Sequence, residues 1–231
     1  MMVALFSCCL PQLASADKRE AIGHSIRHRP ILLFTDTVPH PKLTVLVVGA
    51  IHGDETAGMR IASRLIAAGA PARTELLVVP TVNPDGVAAG TRGNAHGVDL
   101  NRNFPFRWRP LSGGEYSGPG PLSEPEARAA HRLILRKKPD VTIWFHQPFG
   151  LIDKPEGNPF AARRFAKLIG LPLVRLRGRY PGSASRTQTH ESPRTTAFVA
   201  ELPRQVSPAL VKRGAAAVRT LAAELASPAI D

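Results

Sequence analysis

Uninterrupted β-branched and leucine runs alternate with stretches of helical spacing along most of this chain, the pattern of an α/β protein. Leu43 to Val48 (LTVLVV) is apolar throughout and lies between Pro41 and Gly49, as a strand buried on both faces requires. Met59, Ile61, Ala62, Leu65 and Ile66 recur at helical intervals within 54–68, and Gly69 stops that helix. Glu75 to Thr81 reads as a second strand, entering the turn Asn83-Pro84-Asp85-Gly86. Gly90 to Gly120 is rich in Gly, Pro, Asn and Arg and reads as a long loop, a feature that compact domains usually keep for function. Ser123-Glu124-Pro125-Glu126 opens a helix ending near Lys137, with acids in its first turn and bases in its last, as the helix dipole favours.

Val141 to Phe145 (VTIWF) predicts a third buried strand, followed by a helix over 158–169 and a short strand over 171–176. A strand over 196–202 and an alanine-rich helix over 207–225 complete the pattern. The sheet is expected to be mostly parallel or mixed, with no internal repeat and no linker.

Composition narrows the class. A chain of 231 residues with 43% hydrophobic residues can bury a substantial core. Its formal charge of +12 comes mostly from scattered arginines, without a nucleic-acid recognition motif, which favours anionic substrates or cell-wall surroundings over nucleic acid. Cys8 and Cys9 are the only cysteines, so no disulfide framework or cysteine metal site is available. Val3 to Leu13 is apolar and Ala14-Ser15-Ala16 fits a cleavage pattern, but a charged leading region is missing. Residues 1–16 are therefore expected to be an incomplete export signal or a weakly packed terminus, and residues 17–231 the functional domain. No later segment is long and apolar enough to span a bilayer.

Three separated pieces carry the chemistry. His52 and Glu55 follow the first buried strand, His146 follows the third, and Glu201 ends the apolar run Thr196 to Ala200. Two histidines and a carboxylate are a common ligand set for catalytic zinc, and another carboxylate nearby can act as general base. Each piece alone is weak: an isolated HxxE is often a capping acid, and a lone histidine at a strand end is often a core residue. Arg92, Asn101 and Arg102 lie on the long loop and suit an anionic group, since guanidinium grips carboxylate in planar pairs. Asp99 suits either a partner for an arginine or a zinc histidine, or a turn cap. His24, His28, His40, His96, His131 and His190 lack a comparable setting and are not expected to bind metal.

Taken in order, HGDE at 52–55, NPDG at 83–86, RGNAHGVDLNRNFP at 92–105, SEPE at 123–126, the strand ending in His146 and FVAELP at 198–203 resemble the M14 zinc carboxypeptidases, specifically their small bacterial branch. The resemblance runs from about Ile22 to Pro203. It implies a three-layer sandwich with a mixed, mostly parallel sheet between helices, and one zinc per chain held by His52, Glu55 and His146. It further implies Arg92 as stabiliser of the oxyanion, Asn101 and Arg102 as holders of the substrate carboxylate, and Glu201 as general base and acid. Tyr180 matches the family's mobile tyrosine; the aromatic usual a few positions after the Gly-Ser pair is replaced, with Arg186 nearby. The implied reaction is hydrolysis of a peptide bond beside a free carboxylate, in cell-wall peptides of the γ-D-glutamyl-meso-diaminopimelate type. The incomplete export signal points to a secreted or envelope protein, with a cytoplasmic one as the alternative. A deacylase of N-acyl amino acids and a non-catalytic wall-binding module are the alternatives.

Overall fold

The computed structural model describes residues 18–178 and 180–227. The expected export signal lies outside the described residues. Among them, no helix is long and apolar enough to cross a membrane.

The core of the molecule is an eight-stranded mixed sheet. Its strands are β1 (Lys18–His24), β2 (Pro30–Thr37), β3 (Leu43–Val48), β4 (Thr74–Val79), β5 (Val141–His146), β6 (Phe149–Asp153), β7 (Leu173–Val174) and β8 (Thr196–Pro203). They lie in the order β1-β2-β4-β3-β5-β8-β6-β7. The centre, β4-β3-β5-β8, is parallel throughout, while β1–β2, β2–β4 and β6–β8 pair antiparallel. The continuous apolar runs fall on these central strands because both of their faces are covered.

On one face, α1 (Ala57–Ala68), α4 (Phe160–Ile169) and α6 (Pro208–Ala226) bury Ile61, Leu65, Phe165 and Val218 against Val45, Ile143 and Phe198. On the other, α3 (Pro125–Lys137), the long loop and α5 (Ala184–Glu191) pack Leu133, Phe104 and Ala184 against Leu46, Val48 and Trp144. The expected three-layer sandwich is the observed one.

Several boundaries differ from the sequence pattern, each for a local reason. Residues 83–86 are not an isolated turn: Asn83 caps the short helix α2 (Pro84–Ala89), its side chain accepting from the Gly86 amide at 2.9 Å, and Gly90 ends it in a left-handed conformation. Helix α1 begins at Ala57, so 54–56 stay in the turn that carries Glu55 to the site. The hairpin β1–β2, the strand β6 and the helix α5 were not expected. Edge strand β1 is largely exposed, and β6 and α5 are short with mixed composition, so none carries a long apolar period.

Candidate active site

The sheet's parallel centre directs the C-terminal ends of β3, β5 and β8 to one edge, where open α/β sheets bind ligands. Strand β5 ends at His146, which is paired in register with Glu201 of β8. Four residues beyond β3 comes His52, in a turn pressed against α2. A Cβ at Gly53 would lie 2.0 Å from the Gly86 carbonyl carbon, so only glycine lets the turn pass there.

His52, Glu55 and His146 converge, with one ligand atom from each within 4.8 Å of the others. Glu55 lies between the rings, Oε1 at 2.9 Å from His52 Nδ1 and Oε2 at 2.9 Å from His146 Nδ1. The amide of Gln147 also donates to Glu55 Oε2, at 3.1 Å. A carboxylate and two imidazoles with Nδ1 atoms facing one point fit zinc. The other ring nitrogen of His52 meets Asp99 Oδ1 at 3.0 Å, the outer carboxylate that orients many metal-binding histidines. No other His, Asp, Glu or Cys cluster of metal-holding geometry occurs among the described residues. His96 instead pairs with Glu124 and His131 with Glu191.

Asp99 holds together more than the sequence alternatives allowed, because it fills both at once. Besides orienting His52, it accepts from Arg92 Nε at 3.0 Å and Nη2 at 2.8 Å, and it caps the turn by accepting from the Asn101 amide at 2.9 Å. Arg92 Nη1 is left beside the ligand atoms, 3.1 Å from Glu55 Oε1. Asn101 Oδ1 accepts from the Ala184 amide at 3.0 Å, fixing α5 to the loop. Arg102 is buried, bonded to Glu115 and to the Asn101 carbonyl, with its Nε unpartnered. Tyr180 lies beside it, the Arg102 guanidinium 5.4 Å from its ring centroid. Two backbone hydrogen bonds of Gly182, with Phe104 and Phe106, hold the Tyr180 segment to the loop, and a Cβ at Gly182 would strike the Arg102 carbonyl.

Burial first, and then the Glu55 charge, push the Glu201 carboxyl up to about 7. Its Oε2 is buried without a partner. Glu55 moves the other way, because hydrogen bonds from His146 and His52 overcome its burial. Burial depresses the basicity of His146 despite Glu55, whereas at His52 burial is outweighed by Asp99 and Glu55. These groups, with Asn101, Arg102 and Tyr180, border one open cleft of about 470 Å³. All eight residues singled out in the sequence are therefore brought to one place. The cleft also holds Arg186, noted in the sequence only as lying near the replaced aromatic, and Asp153 and Glu115, which the sequence pattern passed over. Asp153 ends the unexpected strand β6, and only recognising that strand would have raised it.

A mixed sheet whose central strand ends present His, Glu and His beside a buried glutamate defines a zinc-dependent peptidase. The family model for zinc carboxypeptidase matches residues 12–158, and the chain belongs to that family. It is similar to murein peptide amidase A of Escherichia coli strain K12, 33% identical over 169 residues, which cover 67% of this chain and 69% of that protein. Among solved structures it resembles murein-tripeptide amidase from Escherichia coli O157, with TM-score 0.71 and 28% identity over 91% of this chain and 94% of that one. It shares its fold with bovine thrombin-activatable fibrinolysis inhibitor, with TM-score 0.78 and 18% identity over 91% and 89% of the two chains.

Proposed function

We propose that residues 17–231 act as one catalytic domain that hydrolyses the amide between γ-D-glutamate and a diamino acid with a free carboxylate, in peptides derived from murein. The observation that carries this reading is the convergence of His52, Glu55 and His146 next to an unpartnered, buried Glu201. The likeness to murein peptide amidase A supports the choice of substrate.

Zinc held by His52, Glu55 and His146 would supply Lewis acidity to the scissile carbonyl and acidify water. Glu201 accepts the proton of the attacking water and passes it to the leaving nitrogen; its pKa near neutrality suits both transfers. Arg92, held by Asp99, places Nη1 where negative charge grows on the carbonyl oxygen. Asn101 Nδ2 and Arg102 hold the terminal carboxylate, which displaces Glu115 from Arg102. Tyr180 closes over the bound group. A positively charged protein exported to the envelope meets an anionic polymer there, which agrees with the charge of +12.

Mass spectrometry of products from defined muropeptides, with and without a zinc chelator, tests the reading. Release of the free diamino acid or its C-terminal fragment, abolished by chelation, is the expected result. Cleavage of N-acyl amino acids with muropeptides left intact would replace it with the deacylase reading.

A further inference from the structure

Beyond Glu201 the cleft continues along two strands. In the antiparallel pair β6–β8, Leu151 sits opposite Glu201 and Ile152 opposite Ala200, so the register brings Asp153 alongside Val199. Strand alternation puts Asp153 on the same sheet face as Leu151, and therefore on the face that carries Glu201. At about 3.4 Å per residue, Asp153 lies about 7 Å from Glu201 along the sheet. Its Oδ1 accepts from the Leu176 amide at 3.0 Å, while Oδ2 has no hydrogen-bond partner among the described residues. Burial raises its pKa, only partly offset by that amide and by the charges of Arg186 and Arg175. A carboxylate so placed gains from an incoming cation.

Arg186 faces the same space from the first turn of α5. Its guanidinium stands 5.2 Å from the Tyr180 ring centroid, the ring that also neighbours Arg102, and its Nη2 donates to the Gly178 carbonyl at 3.2 Å. The bond from the Ala184 amide to Asn101 fixes this helix relative to the residues proposed to hold the terminal carboxylate. Besides Arg92 and Arg102, the cleft thus contains a further arginine and a carboxylate that make no ion pair with each other. One main-chain carboxylate needs only Asn101 and Arg102, which leaves this opposite pair for another part of the ligand.

We infer that Asp153 and Arg186 form a subsite for a zwitterionic side-chain end: an ammonium donating to Asp153, and a carboxylate accepting from Arg186. The ligand residue is a diamino diacid whose main-chain carboxylate is held by Asn101 and Arg102. This rests on the proposed function and names what selects its substrate. Arg186 supplies the preference for a diamino diacid over lysine, and Asp153 the preference for an amino group over none.

The test uses the zinc-loaded full chain and four γ-D-glutamyl peptides, ending in diaminopimelate, lysine, 2-aminopimelate or norleucine. For the wild type, loss of either side-chain group should lower kcat/KM by roughly 10–100-fold. In Arg186→Gln the ratio between diaminopimelate and lysine should collapse toward one. In Asp153→Asn the ratio between diaminopimelate and 2-aminopimelate should do so. Ratios within one variant cancel any general loss of folding or turnover. A wild type that cleaves all four peptides alike, or variants that keep the wild-type ratios, overturns the subsite and leaves the amidase reading standing. If the wild type cleaves none, the amidase reading fails, and calorimetry with free diaminopimelate decides the subsite. Binding at least ~10-fold weaker in Arg186→Gln supports it; equal binding overturns it.

Discussion

Glu201 is held in a state that suits catalysis and strains the metal-free fold. Its carboxyl sits at about 7 against 4.5 in its ordinary state, because burial and Glu55 disfavour its charge. A raised carboxyl pKa makes its contribution to stability greatest below the unfolded value, and that contribution is lost as pH rises through the folded value. The metal-free wild type should therefore lose stability between about pH 4.5 and 7 relative to Glu201→Gln, which cannot ionise. Melting curves of the two metal-free proteins across that range check this; parallel curves would contradict it. The same substitution should lower kcat by roughly 100–10,000-fold, the usual worth of a general base. Arg92→Ala should lower it by about 100–1,000-fold with zinc content intact, as for a lost oxyanion donor. Near-normal turnover in Arg92→Ala would remove that residue from the reaction.

At the scale of elements, the site depends on how strand ends are turned. The loop from Val48 to Ala57 reaches the cleft only because Gly53 lies against α2, so Gly53→Ala must move backbone. Overpacking of this kind costs about 1–3 kcal/mol, and for a chain of this size the melting temperature should fall by roughly 2–12 °C, with weaker zinc binding. Calorimetry and zinc titration of the variant read both effects. The same elements explain what the sequence revealed. LTVLVV and VTIWF were legible because strands covered on both faces need unbroken apolar runs, and His52 and His146 were legible as residues following them. Strand β6 was not: FGLID alternates too briefly to stand out, and its partner β8 is some fifty residues away in sequence, so Asp153 stayed hidden. Helix α5 turns Ala184, Thr187 and Gln188 inward, and with one apolar residue among the three it gives no hydrophobic stripe to read. Asn83-Pro84-Asp85-Gly86 read as a turn because its residues are turn formers, whereas in the fold Asn83 caps a helix start that packs against Gly53.

For the whole molecule, the eight-stranded sheet is a frame that brings groups from 52 to 201 to one edge, and zinc would tie three of them. Metal that binds only the folded chain stabilises it by about 2.7 kcal/mol when free zinc is ~100-fold above its dissociation constant. Chelation should thus lower the melting temperature by roughly 5–10 °C and abolish turnover, with both restored by zinc. The most direct test of the account is a crystal structure of the zinc-loaded protein with an anomalous difference map at the zinc edge. A single peak at about 2.0–2.2 Å from His52 Nδ1, His146 Nδ1 and a Glu55 oxygen is the result predicted. A peak elsewhere, or none in protein shown to be zinc-loaded, would contradict it.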